Sequence, residues 1–294
     1  MADLMKVVLL GRAGLMGSAF FRHLSSQGVE IACPRRAEHG DFSHAGVVAR
    51  ILRAERPDFL INCAGYTGKP NVDACELHKA ATLQGNAVLP GAVREACEAA
   101  GVPWGHVSSG CIYSGTRADG AGFTEDDPPN FSFRSPPCSF YSGSKALGEE
   151  VLEGAQNCFI WRVRLPFSSH ADPRNLLTKL MRYERLLEAR NSLSHLEDFV
   201  EAAWACWIQQ VPFGIYNVTN PGSVTTSEVV EMIKKSGVSR KDFSFFASEE
   251  EFMALAAVAP RSNCVLDTKK LEQAGILLRD VRTALADSLH NWEA

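Results

Sequence analysis

The sequence predicts an α/β fold: a Rossmann-type, doubly wound parallel sheet with a smaller C-terminal lobe for substrate. Three observations predict it. Short apolar runs alternate with helical patterns through the first half, as a parallel sheet covered on both faces requires. The segment Gly11-Arg-Ala-Gly14-Leu-Met-Gly17 joins the first apolar run to the first helical pattern. Downstream, Tyr141-Ser-Gly-Ser-Lys145 spaces a phenol and an amine four residues apart, on one face of a helix.

Taken in order, strands are expected at 7–10, 29–33, 59–63, 104–108 and 159–163, where the apolar runs fall. Helices are expected between them at 15–26, 46–55, 73–100 and 142–153. Gly, Pro, Ser and Asp gather at 114–122 and 126–137, which reads as a mobile flap beside the site. From 165 to 188 the chain leaves the sheet, and further helices are expected at 196–209, 227–235 and 279–292. This divides the chain into a dinucleotide-binding domain over 1–164 and a mainly substrate-binding lobe over 165–294, with segments returning to the first domain.

Composition bounds the function. The 294 residues, 46% hydrophobic, suffice for a full core, and a net charge of −4 argues against non-specific nucleic-acid binding. No apolar run approaches the ~20 residues of a membrane span, and the first apolar run is too short for a signal peptide. The nine cysteines are scattered without a Cys-x-x-Cys pair, as expected of reduced thiols in a cytoplasmic protein without zinc. The expected partner is a small molecule, met by a monomer or homodimer.

The glycine turn carries the first chemistry. A strand turning sharply into a helix lets a pyrophosphate approach the backbone, and the helix N-terminus offers free N–H groups. Gly11, Arg12, Gly14, Leu15, Met16 and Gly17 are therefore candidate cofactor residues. Asn62-Cys-Ala64-Gly65 ends another strand and reads as cofactor floor, with Asn86 as a helix residue supporting it. After the second strand, Arg35 and Arg36 stand where an acidic residue would hold the ribose of NAD. Arginines there suit the extra phosphate of NADPH, with NADH the alternative; a solvated arginine pair is the plainer account.

Tyr141 and Lys145 carry the second. An ammonium beside a phenol lowers its pKa, so the tyrosine can exchange a proton near neutrality. Ser109 ends the strand that begins near Trp104, where sites in such sheets lie. Cys111, two residues on, points the same way in extended chain. On spacing alone, packing is the plainer account of this cysteine.

Several longer segments resemble one family: 64–76 with its Ala-Gly-Tyr-Thr-Gly-Lys start, Ser109-Gly-Cys-Ile-Tyr113, Arg162-Val-Arg-Leu-Pro166, 173–183 with Asn-Leu-Leu-Thr-Lys inside it, Asn217-Val-Thr-Asn-Pro-Gly222 and Arg261-Ser-Asn263. They are similar to the bifunctional nucleotide-rhamnose 3,5-epimerase/4-reductases, extended short-chain dehydrogenase/reductases related to dTDP-4-dehydrorhamnose reductase and, more distantly, GDP-L-fucose synthase. The resemblance implies an NADPH-dependent enzyme acting on a dTDP- or UDP-4-keto-6-deoxyhexose. It implies that Cys111 and Lys179 are the proton-transfer pair of epimerisation, with Ser109, Tyr141 and Lys145 serving the carbonyl and its reduction. Candidate substrate contacts are Thr67, Gly68, Lys69, Asn71, Asn175, Lys179, Arg261 and Asn263. The chain departs from the family pattern at Ser142-Gly-Ser144, at Ala74 in place of a tryptophan, and at 133–138, all nearer the sugar or nucleotide pocket than the chemistry. The alternatives are a 4-keto reductase without epimerase activity and a non-catalytic reductase-like regulatory subunit.

Overall fold

A computed structural model describes residues 5–69 and 71–294. Six parallel strands form the central sheet: β1 (Lys6–Leu10), β2 (Glu30–Ala32), β3 (Phe59–Asn62), β4 (Trp104–Ser109), β5 (Cys158–Val163) and β6 (Gly214–Asn217), in the order β6-β5-β4-β3-β1-β2. The inner strands β1, β3, β4 and β5 are buried on both faces because helices cover both, while the edge strands β2 and β6 are only partly buried. Side chains alternate between two cores. Val7, Leu9, Phe59, Ile61, Phe159 and Trp161 face one. Val8, Leu10, Leu60, Trp104 and Ile160 face the other.

Helices α1 (Leu15–Ser26), α2 (Ala45–Glu55), α3 (Leu89–Ala100) and α4 (Phe140–Val151) accompany these strands. Past β5 come α5 (Leu176–Arg182), α6 (Leu196–Ile208), α7 (Thr226–Ser236) and α8 (Val281–His290). On the first face α1 meets α6, with Phe20 edge-on to Phe199 at 6.3 Å between ring centroids. On the second face α2 contributes Val48, Ile51 and Leu52, and α3 contributes Leu89, Val93 and Ala96. Beyond the sheet, Phe167, Leu177, Val229, Val230, Ile233, Val281 and Leu285 build a separate core, the smaller C-terminal lobe.

Four differences from the sequence reading have physical causes. The helix expected over 73–100 is broken: His78 leaves helical geometry at ψ 51°, and a π-helical turn, Gln84–Val88, precedes α3. Two glycine-permitted contacts explain the turn, since a Cβ on Gly85 would come 2.9 Å from the Tyr66 side chain and one on Gly148 would come 2.1 Å from the Asn86 carbonyl. The sixth strand, Gly-Ile-Tyr-Asn, is too short to announce itself; pairing with β5 makes it a strand. The short helix α5 also lacked a sequence signal. The region read as a flap is anchored: Phe123 and Asp267 exchange backbone hydrogen bonds with the 265–267 and 123 segments at 2.8–2.9 Å, and the Glu125 carboxylate accepts the Asn217 N–H at 2.8 Å. Among the described residues, no helix is long and apolar enough to cross a membrane, and no cluster of metal-ligating side chains occurs.

Candidate active site

The glycine turn lies between β1 and α1. Gly11 has φ +84°, and a Cβ there would meet the Ala64 nitrogen at 2.6 Å. A Cβ on Gly17 would lie 2.2 Å from the Gly11 carbonyl oxygen. Both positions need glycine, so the turn packs against the loop after β3. Gly14 is the N-cap of α1 and offers no capping side chain, which leaves the N–H groups of Leu15 and Met16 to a ligand. This cradle fits a dinucleotide pyrophosphate. Arg12 lies over the Phe21 ring at 3.8 Å. Arg35 is exposed and paired with Glu38, while Arg36 reaches Asp41 only at 4.0 Å. Both arginines are at the surface past β2, with Arg36 the less committed.

The floor is set by two asparagines. Asn62 is fully buried at the end of β3; its amide lies 3.1 Å from Nδ1 of His106, its register partner on β4, and its carbonyl oxygen accepts the Ala64 N–H at 3.0 Å. Burial and the nearby Lys145 charge hold His106 well below the usual imidazole range, so it sits neutral beneath the site. Asn86, on the π turn, accepts the Tyr66 N–H at 2.8 Å, donates to the Tyr66 carbonyl at 2.8 Å and donates to Ser144 Oγ at 3.0 Å. Every polar atom of that side chain is committed. It shapes the Gly65–Tyr66 backbone and ties it to α4 rather than reaching a cofactor.

Helix α4 brings the catalytic candidates to the end of β4. Ser139 caps it, its Oγ accepting the Ser142 N–H at 3.1 Å. Tyr141 and Lys145 then share the face towards β4, where Lys145 Nζ donates to the Val107 carbonyl at 3.2 Å. Ser109 Oγ accepts the Cys111 N–H at 3.2 Å and opens a short 3-10 turn, so Ser109, Cys111 and Tyr141 converge. Burial pushes the Cys111 thiol up, opposed by Ser109, Arg164, Lys145 and Ser142. Burial likewise pushes the Tyr141 phenol up, opposed by Ser109 and Arg164. Burial outweighs both, and the ammonium that the sequence spaces with this phenol is turned to a strand carbonyl. Burial also lowers Lys145.

Behind this cluster, Arg162 and Glu149 form a buried ion pair at 2.7 Å, with Ser108 Oγ donating to the same carboxylate at 2.5 Å. It clamps α4 onto β4 and β5. Arg164, two residues on, is 4% exposed; it donates to Asn191 Oδ1 at 2.6 Å and to the Ser262 carbonyl. Sequence reasoning missed Glu149, His106 and Arg164 as site residues. A signal existed for Arg164 alone, since Arg162-Val-Arg164 puts charges at the end of an apolar run and buried charges demand partners; Glu149, in α4, and His106, neutral on β4, carried none.

The substrate candidates divide. Lys179 lies on α5, half-buried, with burial lowering its pKa. It lies on a different element from Cys111, which sits in the 3-10 turn after β4. Its neighbour Arg174 extends from the same segment to the Ala13 carbonyl of the glycine turn at 3.4 Å. Asn175 is a correction: 1% exposed, it caps α5 by accepting the Leu177 N–H at 2.9 Å and donates to the Ser168 and His170 carbonyls, leaving nothing for a sugar. Asn71 likewise turns its carbonyl oxygen to the Asp73 N–H at 2.9 Å. Arg261 is held by Asp73 in a two-pronged pair at 2.6 and 2.7 Å, which depresses the Asp73 carboxyl. Asn263 accepts from Asn191 at 3.1 Å. Thr67 and Lys69 are exposed, and Gly68, at φ +75°, turns the same loop.

The cradle, the Ser-x-Cys strand end and the Tyr-x-x-x-Lys helix coincide with a match along nearly the whole chain. The family model described as the RmlD substrate binding domain covers residues 5–293. The chain belongs to the RmlD family. Among its relatives is the bifunctional dTDP-4-dehydrorhamnose 3,5-epimerase/dTDP-4-dehydrorhamnose reductase of Arabidopsis thaliana, 32% identical over 95% of this chain and 90% of that protein. A trifunctional Arabidopsis thaliana UDP-glucose 4,6-dehydratase/epimerase/reductase is 31% identical over 96% of this chain, which spans 41% of that protein. The crystal structure of the L780 UDP-rhamnose synthase from Acanthamoeba polyphaga mimivirus superposes with a TM-score of 0.90 at 25% identity, covering 98% of this chain and 100% of that one. A Bacillus anthracis dTDP-4-dehydrorhamnose reductase in complex with NADP shares the fold, with a TM-score of 0.81 at 21% identity over 98% of each chain. This RmlD-family chain is thus an enzyme of an oxidoreductase group.

Proposed function

We propose that this RmlD-family chain is an NADPH-dependent 3,5-epimerase/4-reductase acting on a dTDP- or UDP-4-keto-6-deoxyhexose, yielding a nucleotide-bound L-rhamnose-type sugar. The observation that carries the reading is the convergence of Cys111 with Ser109 and Tyr141 at one strand end. A reductase needs only the last two. Residues 1–164 serve the cofactor and 165–294 mainly the sugar nucleotide, with α6 and β6 returning to the sheet.

Gly11, Gly14 and Gly17 hold the cofactor, with Arg36 near its ribose end; NADPH, when bound, supplies a hydride for carbon 4. The remaining work falls to side chains. Ser109 and Tyr141 donate to the carbonyl oxygen and stabilise the enolate that forms when a neighbouring C–H is broken. Tyr141 suits this because burial keeps it a neutral phenol, the form that donates. The two lateral groups have opposite tendencies. Burial lowers Lys179, which favours its free amine as base, and raises Cys111, which favours its thiol as acid. Lys179 takes a proton from carbon, and Cys111 returns one to the opposite face. The resulting ammonium and thiolate re-equilibrate through water. Reduction then needs Tyr141 to pass its proton to the carbon 4 oxygen.

NMR of dTDP- and UDP-4-keto-6-deoxyglucose in deuterated water tests this. The expected result is deuterium at carbons 3 and 5 without NADPH, then a rhamnose product when NADPH is added. Reduction without enzyme-dependent exchange would leave a 4-keto reductase; neither reaction would favour a regulatory role.

A further inference from the structure

Among the described residues, Arg164 is a buried cation without an anionic partner. It follows Val163, the last residue of β5, whose register partner is Ser109 at the end of β4. Its two hydrogen-bond acceptors, Asn191 Oδ1 and the Ser262 carbonyl, are both neutral. Among the described residues its Nε has no hydrogen-bond partner, and no carboxylate pairs with it as Glu149 pairs with Arg162. Asn191 is itself fixed, accepting the Cys264 N–H at 3.0 Å and donating to Asn263. The guanidinium is therefore held rigidly, with spare donor capacity. A buried, unpaired charge is costly, and such groups persist where an anion is to be met.

We propose that Arg164 is the counter-cation for the Cys111 thiolate, a positioning residue that holds the negative charge left on Sγ after proton transfer. The inference rests on the reading of Cys111 as the proton donor. When the S–H bond breaks and the new C–H bond forms, the charge moves to sulfur; Arg164 stabilises it until water returns a proton. Several groups face Cys111: Ser109 from β4, Tyr141, Ser142 and Lys145 from α4, Cys138 before that helix, Cys75 from the 74–77 turn, and Arg164 from the end of β5. Only Lys145 and Arg164 are cationic. Lys145 donates to the Val107 carbonyl, whereas the Arg164 Nε has no partner among the described residues.

The test is the pH profile of Cys111 alkylation by iodoacetamide, followed peptide by peptide in the intact chain. In Arg164→Gln the midpoint is expected to rise by about one pH unit, which slows Cys111 alkylation near neutrality about tenfold. Arg164→Lys is expected to restore most of the wild-type profile. An unchanged midpoint in Arg164→Gln, or equal displacement in both variants, overturns the proposal. If Arg164→Gln does not fold, Cys111→Asp and Cys111→Asn replace it: the carboxylate should melt several degrees higher than the amide at pH 8 and lose that advantage near pH 4. A less stable Asp variant at pH 8 overturns the proposal equally. Deuterium exchange in Cys111→Ser separates the two layers. Exchange that persists refutes the donor role of Cys111 whatever the alkylation shows. Exchange that is lost while alkylation ignores Arg164 refutes the counter-cation alone.

Discussion

Arg162 and Arg164 leave the end of one strand two residues apart and both are buried, yet only Arg162 meets a carboxylate, Glu149 at 2.7 Å. The first arginine is structural. Its pair joins β5 to α4, the helix that carries Tyr141 and Lys145, and Ser108 adds a bond from β4. Glu149→Gln leaves the Arg162 charge without compensation in the core and is expected to destabilise the chain by about 3–5 kcal/mol in urea unfolding. Replacing both partners by apolar residues of similar size should cost much less. A loss under about 1 kcal/mol for Glu149→Gln would mean that the clamp does not hold α4.

The glycine turn makes a sharper prediction about binding. A methyl on Gly17 would sit 2.2 Å from the Gly11 carbonyl oxygen, and both flanks are backbone, which cannot swing aside. Gly17→Ala should weaken NADPH binding by about 100-fold or more, a loss of about 2.7 kcal/mol. Titration by NADPH fluorescence reads this directly. Binding within about threefold of wild type, under 1 kcal/mol, would remove the turn from the cofactor site.

Much of this architecture was legible because local pattern and tertiary role agree. The apolar runs at 7–10 and 59–63 are buried strands, and the glycines between β1 and α1 are where the backbone approaches itself. What stayed hidden depends on partners far along the chain. Gly214–Asn217 becomes a strand only beside β5, and the 114–131 region is pinned by residues 263–267 and Asn217. Site chemistry divides in the same way. The spacing of Ser109, Cys111, Tyr141 and Lys145 announces a cluster, but not that burial raises the phenol or that Lys145 turns to a strand carbonyl. Asn175 reads like a polar contact, yet its helix N-terminus consumes it.

The two steps of the proposed reaction should separate by mutation. Tyr141→Phe keeps the ring packing and removes the proton, so reduction is expected to fall by about 10²–10⁴-fold with little change in NADPH affinity. Cys111→Ala should abolish deuterium incorporation while an already epimerised 4-keto sugar nucleotide is still reduced at a rate within about threefold of wild type. Parallel loss of both activities in Cys111→Ala would indicate that the cysteine shapes the cleft instead of moving a proton.

Acid stability should depend on Asp198. This α6 carboxylate accepts from Asn220 at 2.7 Å and pairs with Arg279 at 2.8 Å, fastening α6 to the segment that enters α8. Burial alone would raise it, but the bonds from His195, Arg279 and Asn220 prevail and hold it at about 2. An unfolded aspartate titrates near about 3.9. The folded value is the lower one, so the contribution is present in full above about pH 5 and is lost as the pH falls through about 2. Its size is on the order of 2 kcal/mol. Asp198→Asn should therefore be less stable than wild type by that amount at pH 6, with the two urea midpoints converging between about pH 4 and pH 2. A constant gap across that range would assign the effect to packing around α6 and not to the carboxylate charge.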